Sequence, residues 1–260
     1  GKESGVPMRI VVGGAGSWGT AVARLAADAG HEVRLVCRTR AQADAIRATR
    51  HNAAYLPGVE VPSTVALTHL GAEDCLAGGE MVVLAVPSRA VRDAGTVVAA
   101  HFPAGAGVLS LTKGLDPETG GFLSDTWRGL LPPGTPLCVL SGPNHAEEVG
   151  TRQPAAAVVA GDPDLGRRIQ LGLSGPRFRL YLNDDLLGVE LCGAAKNVIA
   201  LAAGMSDGVG FGDNCKATLI TRGLAEMTRL GRACGAQEVT FRGLAGMGDL
   251  VGTGTSGHSR

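Results

Sequence analysis

Three charged residues stand out as able to do chemistry: Lys196, Lys113 and Asp249. Lys196 lies in an apolar stretch rich in Gly and Ala, where helical spacing puts it on one face with Val189, Cys192, Gly193 and Ala200. Among small apolar side chains a lysine is partly desolvated, which favours the neutral amine and lowers its pKa. Such a group can exchange a proton with an alcohol or ketone near neutral pH. Spacing alone favours a plainer alternative, a lysine with a buried stem and a solvated head. Lys113 follows an apolar run and precedes Gly114; it reads either as an anchor for a phosphate or carboxylate or as a solvated loop cation. Asp249, inside Gly246-Met247-Gly248-Asp249-Leu250, either orients a lysine or hydroxyl or serves as a turn or cap. Arg260 is a natural phosphate clamp beside Ser259, although terminal residues are often frayed. Ser17, Ser88 and Ser141 form no triad pattern with any of the six histidines, which argues against hydrolysis.

A second group of residues binds rather than reacts. Gly14-Ala15-Gly16-Ser17-Trp18-Gly19 has the spacing of a dinucleotide fingerprint. Gly14 suits a tight turn, Gly16 lets backbone approach a pyrophosphate, and Gly19 lets helix and strand pack closely. With 40 glycines in the chain the motif alone is weak, and its context decides. The apolar run Arg9-Ile10-Val11-Val12 precedes it as a strand; Trp18, Val22, Leu25 and Ala29 follow at helical spacing, and Gly30 closes the helix. The next strand, 32–37, ends in Arg38-Thr39-Arg40, where a site for NAD would carry an acid. Two arginines suit a 2′-phosphate and lean the reading towards NADP(H), against a merely solvated basic turn.

These residues need a scaffold, and the sequence supplies one. A helix at 41–48 and a loop at 52–58 are followed by strands at 81–86, 107–111, 137–140, 155–160 and 177–182, with a helix through Val91 and Val97 and another before the last strand. The alternation predicts a mostly parallel, doubly wound α/β sheet of Rossmann type, whose ligands sit beyond the strand C-termini. Ser17, Arg38, Pro87, Lys113 and Asn144 all fall there. Beyond Asn183-Asp184-Asp185 no good strand follows. Helices at 186–205, 217–233 and 237–244 predict an all-helical second domain, and the boundary is placed so that 1–185 binds dinucleotide and 186–260 carries substrate and catalysis.

Composition excludes several classes. The chain has 260 residues, 45% hydrophobic and 18% charged, which suits a globular enzyme. Formal net charge is zero, so there is no bulk attraction to nucleic acid or to an anionic membrane. Six scattered cysteines without metal-ligand spacing read as reduced thiols of a cytoplasmic protein, with no metal site. No apolar run suggests a membrane span, and residues 1–7 have no signal-peptide character.

Taken together, the motifs resemble the bacterial-type NAD(P)-dependent glycerol-3-phosphate dehydrogenases. The matching stretches are Gly14-Ala15-Gly16-Ser17-Trp18-Gly19-Thr20-Ala21, Tyr55-Leu56-Pro57-Gly58, Leu84-Ala85-Val86-Pro87-Ser88 and Thr112-Lys113-Gly114-Leu115. They continue with Leu140-Ser141-Gly142-Pro143, Ala195-Lys196-Asn197-Val198-Ile199-Ala200, Gly204-Met205-Ser206-Asp207-Gly208, Leu219-Ile220-Thr221-Arg222-Gly223-Leu224-Ala225-Glu226 and Gly246-Met247-Gly248-Asp249-Leu250. The resemblance implies that Lys196 is the proton acceptor. It places Lys113, Gly142, Asn144, Lys196, Asp249, Ser259 and Arg260 at a glycerol phosphate. Gly14, Gly16, Ser17, Trp18, Gly19, Arg38, Lys113, Ala146 and Arg260 fall at NADP(H) or NAD(H).

The implied reaction is the interconversion of dihydroxyacetone phosphate and sn-glycerol 3-phosphate, feeding phospholipid synthesis, with a homodimer admitted. Asn144 departs from the family, which often has a hydroxyl residue there. The family also continues past the position of Arg260, and its further helices are expected to cover the helical domain and complete the cofactor site. Two alternatives stay open: another dehydrogenase of the same two-part build, of 2-hydroxy acid or ketopantoate type, and a non-catalytic NAD(P)-binding protein.

Overall fold

A computed structural model describes residues 6–255. The chain begins with β1 (Arg9–Gly13), α1 (Ser17–Asp28), β2 (Glu32–Cys37) and α2 (Arg40–Thr49). The loop expected at 52–58 is instead a small antiparallel hairpin of β3 (His51–Asn52) and β4 (Leu56–Glu60). There Leu56 and Val59 bury themselves against Ala21, Ala146 and Trp18. Next come β5 (Ala66–His69), β6 (Met81–Leu84), α3 (Val91–Ala100), β7 (Gly107–Ser110) and α4 (Leu123–Leu130). The sheet part closes with β8 (Leu137–Ser141), α5 (Ala146–Gly150), β9 (Ala155–Gly161), α6 (Pro163–Leu173) and β10 (Phe178–Asn183).

The strands form one eight-stranded sheet in the order β10-β9-β8-β7-β6-β1-β2-β5. All pairings are parallel except β8 with β9. Every residue of β6, β7 and β8 is buried. A parallel strand covered on both faces reads as such a continuous apolar run. On one face Ile10, Val12, Leu35 and Val83 pack under α1, α2 and α6; on the other Val11, Val36, Val82 and Leu84 pack under α3, α4 and the long helix Leu186–Gly208.

The remaining elements are helical: α7 (Leu186–Gly208), α8 (Asp213–Ala233), α9 (Glu238–Phe241), a π-helical turn at Leu244–Gly248, and α10 (Asp249–Thr255). Asp185 caps α7 by accepting from Gly188 N at 2.9 Å, and its other oxygen accepts from Gln237 N at 2.8 Å and Thr240 Oγ1 at 2.7 Å. One buried carboxylate thus fastens α9 to the start of α7. Small residues allow close helix contact: a Cβ on Gly223 would come within 2.6 Å of the Ile199 side chain. Helix α7 has the length and apolar composition to cross a membrane, contrary to the expectation that no run reaches that length; half of its apolar window is buried inside the fold.

Candidate active site

Two features meet at the C-terminal edge of the parallel strands, an anion cradle and a cluster of lysines on one carboxylate. The cradle begins at Gly14, whose φ of +116° is a conformation that favours glycine. Gly19 presses on the Gly14 carbonyl so closely that no side chain fits there. Gly16 is the N-cap of α1 and contributes no side-chain hydrogen bond. The first-turn N–H groups of α1 are therefore left for an anion, as a helix N-terminus favours. A Cβ placed on Gly16 would meet nothing within 4 Å among the described residues. Ser17 and Trp18 are half-buried on the first turn; Trp18 packs on Leu56, Val59 and Ala146, the first residue of α5. Arg38 is exposed just beyond β2, and its guanidinium has no hydrogen-bond partner among the described residues. These residues fit a dinucleotide: a glycine turn with free N–H groups beside an unengaged arginine.

The turn is braced from behind. The Ala15 carbonyl accepts from Asn52 Nδ2 at 2.9 Å and from Gln42 Nε2 at 2.8 Å. Asn52 also donates to Thr20 Oγ1 at 2.9 Å, and Thr20 Oγ1 donates to the Gly16 carbonyl at 2.7 Å. Nothing in the sequence marks Asn52 or Gln42 for this, because both lie in segments remote from the glycine stretch.

The cluster is assembled from three separate elements. Lys113 follows β7, Lys196 projects from the middle of α7, and Asp249 opens α10. Lys113 Nζ donates to Asp249 Oδ2 at 2.7 Å and to the Gly142 carbonyl at 3.1 Å. Lys196 Nζ donates to Asp249 Oδ1 at 2.5 Å and to Thr253 Oγ1 at 3.1 Å. Asp249 is 2% and Lys196 8% exposed. The approach of α7 depends on Gly193, where a Cβ would stand 3.2 Å from Ser141 Oγ and 3.5 Å from Lys113 Cγ. Asp249 is aimed by the π turn, in which Gly248 N donates to the Gly243 carbonyl at 3.1 Å, five residues back.

Burial, followed by the charge of Lys113, pulls the Lys196 ammonium down to about 8, while Asp249 opposes the shift. The desolvation argued from helical spacing is thus present, and the solvated-head alternative is not what the fold builds. Counting ionised groups, two ammoniums against one carboxylate leave the cluster with one positive charge, suited to an anionic substrate.

Around this cluster, Gly142 has a φ of +149°, and a Cβ there would lie 2.9 Å from Asn144 Nδ2. Both side-chain polar atoms of Asn144, and Ser141 Oγ, are buried without a hydrogen-bond partner among the described residues. Unpaired buried donors and acceptors beside a cationic cluster suit a polar ligand. The structure therefore brings together Lys113, Gly142, Lys196 and Asp249, with Asn144 next to Gly142. Ser259 and Arg260 lie outside the described residues. Sequence reasoning missed Thr253, although it stands one helical turn after Asp249 and donates to the Asp249 carbonyl at 2.7 Å; Gly193 reads in the sequence only as a small neighbour of Lys196, and its role in admitting α7 to β8 shows only in the folded chain.

Comparison with known proteins gives the same site a lineage. Residues 9–164 match the family model for the NAD-dependent glycerol-3-phosphate dehydrogenase N-terminus, and residues 185–260 match that for its C-terminus. A relative from Thermus thermophilus named glycerol-3-phosphate dehydrogenase (NAD(P)+) is 51% identical over 253 residues, covering 97% of this chain and 77% of the relative. One of the same name from Desulfitobacterium hafniense is 49% identical, covering 97% and 71%. The crystal structure of glycerol-3-phosphate dehydrogenase from Coxiella burnetii superposes with a TM-score of 0.92 at 38% identity, over 97% of this chain and 77% of that one. With both halves matched and the nucleotide turn and buried lysine on the page, the chain belongs to the NAD-dependent glycerol-3-phosphate dehydrogenase family.

Proposed function

We propose that the described site interconverts dihydroxyacetone phosphate and sn-glycerol 3-phosphate, with Lys196 moving the proton. The observation that carries this is the Lys196–Asp249 pair, buried at the same sheet edge as the glycine turn. Lys113 follows β7, two strands from β1, which sets it roughly 10 Å from the turn at the usual strand spacing. A small substrate bridges that span.

Bound NAD(P)H supplies the hydride. Gly14, Gly16, Ser17, Trp18, Gly19, Ala146 and Arg38 would hold it, with Lys113 at its inner end. Lys196, protonated, gives a proton to the oxygen that becomes alkoxide in reduction, and neutral it takes one in oxidation. Asp249 holds the Lys196 amine in place and keeps Lys113 beside it. Lys113, Gly142 and Asn144 face the phosphorylated substrate, and Ser259 and Arg260 belong to the same proposal by resemblance. Arg38 and Arg40 favour NADP(H) over NAD(H). The division of labour follows the change of texture near residue 185: 1–185 for nucleotide, 186–260 for substrate and proton transfer. A water-soluble triose phosphate as substrate supports a cytoplasmic setting, and the exposed Val198, Leu201 and Met205 on α7 offer a face for a second copy.

The test is an activity screen. Oxidation of NADPH should depend on dihydroxyacetone phosphate and be absent with 2-keto acids or ketopantoate. Preference for a carboxylated ketone would replace this reading with the 2-hydroxy acid type. Nucleotide binding without turnover on any ketone would leave a binding protein.

A further inference from the structure

We propose that Asn52, Thr20 and Gln42 form a clamp that presents the glycine turn to the pyrophosphate and couples it to the arginine corner. The proposal rests on the dinucleotide reading above. In a trans peptide the carbonyl and the following N–H point in opposite directions. Two amide donors hold the Ala15 carbonyl inward, at 2.9 Å from Asn52 and 2.8 Å from Gln42. The Gly16 N–H therefore points away from the clamp, and a Cβ on Gly16 would meet nothing within 4 Å among the described residues. Rotation of this one peptide would turn a carbonyl dipole towards the phosphates instead, and the clamp opposes that rotation before any ligand arrives.

Asn52 is suited to the task. It is 2% exposed, and its side-chain nitrogen has both donors engaged, one on Ala15 and one on Thr20 at 2.9 Å. Its backbone is fixed by the hairpin, where the Asn52 carbonyl accepts from Tyr55 N at 3.0 Å. Thr20 passes the constraint on by donating to the Gly16 carbonyl at 2.7 Å. The hairpin is thus more than a surface loop: its buried Leu56 and Val59 seat Asn52 under the turn.

Gln42 does something Asn52 cannot. Its Nε2 holds Ala15, while its Oε1 accepts from Arg38 N at 3.2 Å. One side chain therefore spans the pyrophosphate turn and the backbone of the residue proposed to meet the 2′-phosphate. Loosening Asn52 should harm NADPH and NADH alike, because both carry the pyrophosphate. Loosening Gln42 should harm NADPH more.

The experiment measures Kd for NADPH and for NADH by nucleotide fluorescence, without substrate, on the whole chain, with the thermal midpoint as folding control. Asn52→Ala should weaken both nucleotides by a similar factor, roughly tenfold, because the hydrogen bonds to Ala15 and Thr20 are both lost. Gln42→Ala should weaken NADH by about threefold and NADPH by about tenfold, since a second bond at the arginine corner is lost. Gln42→Glu keeps the acceptor for Arg38 N but loses the donor to Ala15 and adds a negative charge at the arginine corner, so it should weaken NADH by about threefold and NADPH more than Gln42→Ala does. KM for the ketone should not move in any of them. A folded Asn52→Ala with wild-type affinity, or a Gln42→Ala whose two Kd values both stay within twofold of wild type, would overturn the clamp. If Asn52→Ala does not fold, the Gln42 variants on half-exposed α2 decide alone. A wild type that binds neither nucleotide would overturn the dinucleotide reading and the clamp with it.

Discussion

Lys113 and Lys196 donate to opposite oxygens of one buried carboxylate, Asp249, at 2.7 and 2.5 Å. Sharing a counter-ion brings two cations closer than either would come alone. The closeness matters because, after burial, the charge of Lys113 is the next largest cause lowering the Lys196 pKa. The two lysines differ in burial: Lys196, proposed to move the proton, is 10% exposed at its side chain, Lys113 24%.

Replacing Lys196 with methionine keeps the length and apolar stem but cannot carry a proton. Turnover should fall by roughly 10²–10⁴-fold, the usual contribution of a placed acid–base group. Kd for NADPH should stay near wild type, because the residues proposed to hold the nucleotide lie around the glycine turn and not on α7. A variant within a few-fold of wild type in ketone-dependent NADPH oxidation would assign the proton elsewhere.

The direction of pH dependence follows from the lysine lowered to about 8. Reduction needs the protonated form, so its kcat should fall as pH rises through about 8; oxidation needs the neutral form and should rise over the same interval. Asp249 opposes the lowering, so Asp249→Asn should move both limbs to lower pH. Profiles of kcat against pH in both directions check this, and limbs that stay in place would remove Asp249 from the charge balance.

Gly16→Val probes the cradle. The added side chain meets no protein atom within 4 Å of its Cβ, so the fold should tolerate it, whereas a pyrophosphate should not. Fluorescence titration should show no NADPH binding, with the thermal midpoint little changed. Retained affinity would mean that the nucleotide does not lie against this turn.

Arg38→Asp tests the nucleotide preference. Losing one charged hydrogen bond and gaining a repulsion should cost NADPH about 1.5–3 kcal/mol relative to NADH. Competitive titration of the two nucleotides measures the ratio. Equal wild-type affinities for both would reduce the arginines to a solvated turn.

Asp185→Ala concerns the scaffold. It removes the cap of α7 and strands Gln237 N and Thr240 Oγ1. The loss should be roughly 2–3 kcal/mol, combining a cap with an unmet buried donor. A urea midpoint unchanged from wild type would show that α9 is held by packing alone.

Most of the sheet could be read directly, because buried parallel strands such as Met81–Leu84 are unbroken apolar runs ending at turn residues. The hairpin was hidden by Pro57 and Gly58, which argue against a strand, while its stability comes from distant Ala21 and Ala146. Edge strand β5, with three half-buried residues and one exposed, has no core pattern to reveal it. That β9 runs against β8 depends on a short connection through α5 and not on composition. At the site, Lys196 could be singled out because a lysine breaks an apolar face. Asn52 and Gln42 break no pattern; the Ala15 carbonyl they share lies 37 and 27 residues away, and only the folded chain brings them near. Thr253 stands one helical turn from Asp249, but its contact with Lys196, 57 residues away, shows only in the fold.

The span from Lys113 to Asp249 is 136 residues, and this gives the site a birth order. During synthesis the sheet emerges with its glycine turn, its arginine corner and Lys113, long before residue 249 leaves the ribosome. Domains fold as units from the N-terminus. The glycine turn and the arginine corner proposed for the nucleotide are therefore made before Lys196 has its counter-ion, and the lysine cluster closes only when α10 docks. Nucleotide present early can stabilise the sheet by mass action, so that cofactor supply bears on the yield of folded enzyme before the first turnover.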